Sequence, residues 1–328
     1  MSGSVVQLWR FPVKSMGGSP VDEVRIDRRG VHADRLWAVR DLEQNITASA
    51  RRLPKLLGCS ARYALAPGPD AGPGNVPEVI VTMPDGTELA SGGGEIDQAL
   101  SDLVGREVRL TALPPSSDTS LHRLSVQQTR ANYSPTEVRR DFGLSDQEAL
   151  PDTSVFTTRQ MLTLARFATP PGTFVDLSPV HVVSTTSLAT LSADGVPYDV
   201  RRFRPNVLVA LDEAGDGYPE AGWVGGDVEF GSAALRITNP TIRCVVPTRP
   251  QPGLELDRAL TRRLAEATQR FLGVYADVAT PGVVRVGDAV RVRTPDPPNA
   301  VRRAASVAGR TAMRQVQRAL EATVLRER

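Results

Sequence analysis

From residue 5 to 113, and again from 180 to 292, the chain is written in short apolar, β-branched runs broken by proline and glycine. This punctuation limits the fold more than any other feature. In the first stretch the runs predict strands over 5–13, 21–26, 36–40, 56–66, 76–83 and 108–113. Pro12, Gly17-Gly18, Gly30, Pro67-Gly68-Pro69-Asp70 and Asp85-Gly86 supply the turn signals between them. In the second stretch the same reading predicts strands over 180–183, 207–211, 227–230, 234–238 and 244–246, then two strands around Gly287-Asp288. Helical spacing is confined to 95–104, to a short helix opened by Ser184 and running through Leu188 and Leu191, and to 254–272. Many short strands separated by turns predict small barrels or sandwiches. The expected class is therefore mainly β with helices (α+β).

The organisation follows. Residues 1–113 form a β-barrel domain, 114–150 a polar connecting segment, 151–294 a second β-barrel domain and 295–328 a tail. A chain of 328 residues suggests two domains, each able to bury a core. In the tail, Val301, Ala305, Ala308, Ala312, Val316, Leu320 and Val324 recur at helical spacing, with seven arginines against three acids over 295–328. That predicts a C-terminal amphipathic helix, basic on one side, docking on the protein's own surface or joining two copies in a dimer.

Bulk numbers exclude whole classes of partner. A formal net charge of +2 creates no field to draw in nucleic acid, so any anion must be held locally. Aromatics are 5% of the chain and are not interleaved with basic residues, as a single-strand stacking platform needs. The opening residues carry no basic segment followed by an apolar one, and no run reaches the ~18 apolar residues of a membrane span. The expectation is a cytoplasmic protein without a transmembrane segment. Its two cysteines, Cys59 and Cys244, and three histidines, His32, His122 and His181, are too scattered for a structural zinc site or a four-cysteine cluster. A metal with one protein ligand, the rest supplied by a cofactor, stays open.

Cys244 is the residue with chemical promise. It lies in Asn239-Pro240-Thr241-Ile242-Arg243-Cys244-Val245-Val246, directly beside an arginine. Neighbouring positive charge favours the thiolate, the form that attacks electrophiles or ligates soft metals. The competing reading is a thiol packed as a small hydrophobe. Elsewhere, Lys14-Ser15 closes Phe11-Pro12-Val13-Lys14-Ser15, and Arg204 with Asn206 sits in Arg202-Phe203-Arg204-Pro205-Asn206. Lysine, arginine, hydroxyls and turn amides are the components of a phosphate cradle. Gly92-Gly93-Gly94 lacks the residues of a phosphate loop and reads as a turn, and no nucleophile elbow is present.

The order VQLWRFPVKS, G-x-x-x-DRLW, RRFRPNVLV, TIRCVVPT, PGVVRVGDAV resembles the MOSC superfamily with its N-terminal β-barrel partner domain, and within it the amidoxime-reducing, molybdenum-cofactor group. The resemblance covers about residues 5–60 and 150–294 and leaves out the tail. It implies an N-terminal barrel followed by a MOSC-type barrel, and a molybdenum–molybdopterin cofactor with Cys244 as the metal's single protein ligand. Cofactor-binding positions carry onto Lys14, Ser15, Arg35, Arg51, Ser178, Arg204, Asn206 and Arg243. Asp176 falls close to the metal, where it would relay protons. The family pattern is departed from at Thr241-Ile242 and at Leu177. The superfamily also carries a pyridoxal phosphate association, which no motif of this chain specifies.

The implied activity is reduction of N-hydroxylated or N-oxygenated small molecules, with Arg243 as the thiolate's electrostatic partner. Electrons would come from a separate donor protein, because the chain has no iron–sulfur, flavin or nicotinamide motif. A sulfur or molybdenum-cofactor carrier using Cys244, and a scaffold that binds an anion without catalysis, remain as alternatives.

Overall fold

The computed structural model describes residues 1–192, 195–213 and 215–295; the tail helix expected over 295–328 lies outside these except for Pro295. Seven strands close into a barrel. Around the ring they run Val207–Leu211, Val180–Ser184, Phe271–Thr280, Ala233–Ile242, Asp227–Phe230, Ala289–Arg293 and Ser2–Arg10, which pairs back onto Val207–Leu211. All neighbours are antiparallel except the parallel pair Val180–Ser184 and Val207–Leu211. The first strand of the chain thus completes a barrel otherwise built from residues 180–293, and closure leaves that ring no free edge.

The barrel forms because its strands alternate. Ala233, Leu235 and Ile237 point inward to meet Val182, Val209, Val228, Phe230, Val274, Val292 and the fully buried Trp223. Each buried Val or Leu contributes about 1.5–3 kcal/mol through removal from water. A bulge then changes the aim of the long strand. Ile237 faces Ala276 but Asn239 faces Tyr275, so one extra residue, Thr238, is accommodated. Asn239 is thereby turned to the outer face, where Tyr275 pairs with His181.

Outside this ring, Trp37–Asp41 pairs with Val108–Ala112 and Ile46–Thr47, Val79–Thr82 with Ser60–Tyr63 and Glu88–Ala90, and Glu23–Asp27 with Gly30–Val31 and Gly282–Arg285. Bridges at Val13–Trp37 and Gly17–Ser60 join the loop after the first strand to these sheets. Val39, Leu56, Cys59, Val81, Leu100 and Leu110 share one core there.

Four stretches depart from the sequence expectation. Residues 56–66 begin as a 3-10 turn, Pro54–Gly58, because Pro54 fixes the turn's φ before the strand Ser60–Tyr63. Residues 254–272 are helical only over Ala259–Thr268; Gln269 and Arg270 take left-handed backbone (φ 52° and 71°), and Phe271 already starts a strand. Cys244 is not on a strand but in the loop between Ile242 and a 3-10 turn, Val246–Thr248. The polar segment 114–150 holds two helices, Val126–Asn132 and Pro135–Phe142, with a third, Thr158–Arg166, beyond it. Side chains of Ser125, Ser134 and Thr157 cap them on the third helical amide. Together these helices make a strap across the barrel and the smaller sheets.

Candidate active site: a cationic pocket around Cys244

Parts far apart in sequence meet at the end of the bulged strand. Loops 11–15 and 33–37 are bound to each other: Lys14 N donates to Trp37 O (2.8 Å), Arg35 N to Phe11 O (2.7 Å), and Phe11 N to Asp34 Oδ1 (2.8 Å). The Ser15 hydroxyl accepts from Ala50 N (2.9 Å), drawing in the loop that carries Arg51. Ser15, Arg35 and Arg204 all adopt left-handed backbone, with φ of 71°, 52° and 55°. Non-glycine residues are held there at a cost of order 1 kcal/mol or more each, a strain that clusters at functional sites.

Lys14, Arg35, Arg51, Arg204 and Arg243 supply five cations against the carboxylates Asp34, Asp141 and Asp176. Lys14 is buried and forms an ion pair with Asp176, whose carboxylate is largely exposed. The protein packed around it partly desolvates Asp176 even though its oxygens reach solvent, which works against the charged form. Lys14, then Arg51 and Arg35, outweigh it and hold the carboxyl well below the usual carboxylate range. A group so placed is ionised at neutral pH and accepts hydrogen bonds.

Arg35 and Arg204 lie over the same ring, with guanidinium carbons 4.9 and 4.4 Å from the Phe11 centroid. Burial and then Arg35 pull Arg204 down to about 9. Its Nη2 is buried without a hydrogen-bond partner, as are the hydroxyls of Ser178 and Thr241. A guanidinium nitrogen left open beside a second cation costs free energy unless an anion completes it. With about two positive charges in excess, the pocket suits a phosphate monoester dianion.

Arg243 behaves differently: it favours the Cys244 thiolate electrostatically, as expected, but its hydrogen bonds go elsewhere. Its Nε donates to Leu272 O (2.9 Å), Nη1 to Phe203 O (3.1 Å) and Nη2 to His181 Nε2 (2.6 Å). All three nitrogens are engaged within the protein. His181, accepting from Arg243, donates Nδ1–H towards Arg204 O (3.4 Å); burial and Arg243 keep its pKa well below the ordinary histidine value. Gly273 lets this wall close, since a Cβ there would sit 2.8 Å from His181 Nε2 and 2.7 Å from Val182 O. Asn206 belongs to the same framework: Oδ1 accepts from His181 N (3.2 Å) and Nδ2 donates to Trp9 O (3.4 Å).

The Cys244 thiol is half-buried, and burial pushes its pKa up. Arg51 is the strongest charge opposing that rise, ahead of Arg243. The stronger of the thiol's two cations therefore comes from about 190 residues away in sequence, ahead of the one in the adjacent position. Burial alone would lower Arg51, but Asp141, then Cys244 and Asp176, hold it above its ordinary value.

Two residues here had no place in the sequence reading. The Tyr275 ring lies 5.5 Å from that of His181, tilted by 56°, and within electrostatic reach of Asp176 and Cys244; burial raises it, so its hydroxyl stays protonated. Nothing in its local sequence marks it. Asp141 lies 3.3 Å from Arg51, on a helix capped through Ser134-x-x-Glu137, a cap pattern that the reading of 114–150 as a polar connection passed over. Among the described residues, no three His, Cys, Asp or Glu side chains could hold a metal together, and no helix is long and apolar enough to cross a membrane. Cys59, by contrast, is a fully buried core thiol pushed up to about 12 by burial.

Fold and site together define a closed-barrel α+β protein with a half-buried thiol beside a cluster of cationic side chains. The chain belongs to the MOSC family: the MOSC domain matches residues 170–291 and the MOSC N-terminal beta barrel domain residues 2–105. The MOSC domain family is associated with molybdenum-cofactor binding. Curated relatives include mitochondrial amidoxime-reducing component 1 of Xenopus laevis, 26% identical over 88% of this chain and 81% of that protein. The Homo sapiens protein of the same name is 24% identical over 88% of this chain and 82% of its own. A solved structure, the YUAD protein from Bacillus subtilis, aligns over 90% of this chain and 98% of its own, with 14% identity and a TM-score of 0.42.

Proposed function

We propose that the protein is a molybdenum-cofactor oxidoreductase that reduces N-hydroxylated or N-oxygenated small molecules with electrons from a separate donor protein. The observation that carries this reading is the pairing of a half-exposed Cys244 with a pocket whose buried Arg204 Nη2 and Ser178 Oγ lack partners. The relatives' shared name, amidoxime-reducing component, supports the reaction class.

The residues present fit the cofactor. Arg204, Arg35 and Ser178 would hold its anionic group, Lys14 and Arg51 would line the approach, and Cys244 would be the metal ligand; a soft sulfur donor suits a redox metal. When bound, the molybdenum centre would supply the two electrons that, with two protons from solvent, break the N–O bond, the oxygen leaving as water. The chain's own part is electrostatic and orienting. Asp176, kept ionised by Lys14, accepts hydrogen bonds from an N–H or O–H of the substrate. Tyr275, kept protonated by burial, offers an O–H donor on the other side. The Arg243–His181 wall fixes the backbone that carries both Cys244 and Arg204.

Benzamidoxime reduction by the full chain, produced with molybdenum cofactor and driven by an artificial electron donor, tests the activity. Turnover to benzamidine is expected. Bound cofactor without turnover would leave a carrier as the reading.

A further inference from the structure

We infer that Asp141 is a positioning residue that fixes Arg51 against Cys244. Its carboxylate Oδ2 lies 3.3 Å from Arg51 Nη1 and 3.7 Å from Arg52 Nη2. Its backbone carbonyl accepts from Val245 N at 2.9 Å, directly after the thiol. One residue at the end of the helix Pro135–Phe142 thus holds the cation with its side chain and the cysteine loop with its main chain. The remaining carboxylate oxygen, Oδ1, is buried without a partner, so Asp141 is not simply a solvated surface charge.

The helix end is itself locked in place. Arg270 Nη1 donates to Phe142 O (3.1 Å) and Nη2 to Glu148 Oε1 (3.0 Å), while Arg270 O accepts from Arg243 N (2.7 Å). Arg270 and Asp141 therefore hold the backbone on either side of Cys244, at Arg243 and at Val245, and Arg270 ties that loop to the end of the same helix. Asp141 thereby links the strap to both the thiol's loop and the cation.

A positioning role and a simple charge-neutralising role make opposite predictions. Asp141→Asn removes a negative charge near the thiol, which by itself raises the local positive potential. It also releases Arg51, which lowers that potential. The readout is the ratio of Cys244 alkylation rates with anionic iodoacetate and neutral iodoacetamide, on the cofactor-free full chain at one pH. Both reagents use the same thiolate, so the ratio cancels its fraction and reports the potential. Cys59 is fully buried and does not contribute.

Arg51→Ala is expected to lower the ratio roughly three- to tenfold. D141N should lower it comparably, the double variant no further than Arg51→Ala alone, and Asp141→Glu should restore most of it. An unchanged or higher ratio in D141N overturns the inference. Should D141N not fold, Arg52→Ala provides the test: Arg51 keeps its partner, so the ratio stays near wild type, and a fall as large as that of Arg51→Ala overturns the inference. No cofactor enters these measurements, so their failure and that of the proposed activity are distinguishable.

Discussion

Two walls of the site, each built on an arginine beside a phenylalanine, end in opposite states. At the back, Arg243 lies 5.4 Å from the Phe203 centroid with every nitrogen engaged by Leu272 O, Phe203 O or His181. At the front, Arg204 lies 4.4 Å from the Phe11 centroid with Nη2 unpartnered and Arg35 beside it. Burial depresses both, to about 10 and about 9. Burial and charge therefore do not separate a structural arginine from a binding one. The hydrogen-bond ledger of each guanidinium does.

The sharpest way to break this comparison is to remove each arginine. Arg243→Ala strands two buried carbonyls and a histidine nitrogen, so it should cost about 3 kcal/mol or more of unfolding free energy in urea titrations. A loss below about 1 kcal/mol would return Arg243 to the binding side. Arg204→Ala should leave stability within about 1 kcal/mol of wild type while weakening sulfate binding to the cofactor-free chain about tenfold, read by calorimetry.

Acid separates the walls next. His122, fully buried against Thr169 outside both walls, is pulled down to about 4 by burial, while the unfolded chain titrates near the ordinary value of 6.5. His181 shifts in the same direction. Between those values the unfolded state binds more protons, so stability falls as pH drops from about 6.5 toward 4, by up to about 3 kcal/mol from His122. His122→Gln should flatten that slope. Sulfate stays doubly charged over pH 7 to 5 and Asp176 stays ionised, so affinity at the front wall should hold while stability declines. A parallel fall in both would merge the two walls. The smallest effect concerns the thiols: a disulfide reagent should label one cysteine in the native chain and a second, Cys59, only on unfolding.

Much of this was legible in the sequence where a period governs it. Asp227–Phe230 forms over the residues expected, and the helix Ile96–Val104 appears where Ile96, Leu100 and Leu103 mark a face. The strap was not, because its helices bury almost no apolar face and rest on caps and ion pairs with distant residues. At the site, Lys14, Arg35, Arg51, Asp176, Arg204 and Cys244 converge from separate motifs. Adjacency pointed to Arg243 as the partner of Cys244 and could not show that Arg51 ranks ahead of it. Successive side chains in extended backbone diverge, and the bulge at Thr238 had already re-aimed this strand.

Molybdenum and pterin bound per chain, in wild type and in Cys244→Ala from a cofactor-producing host, test the front-wall pocket most directly. Stoichiometric molybdenum in wild type and almost none in Cys244→Ala is expected. Equal molybdenum in both, or none in either, would contradict a cysteine-ligated cofactor at this pocket.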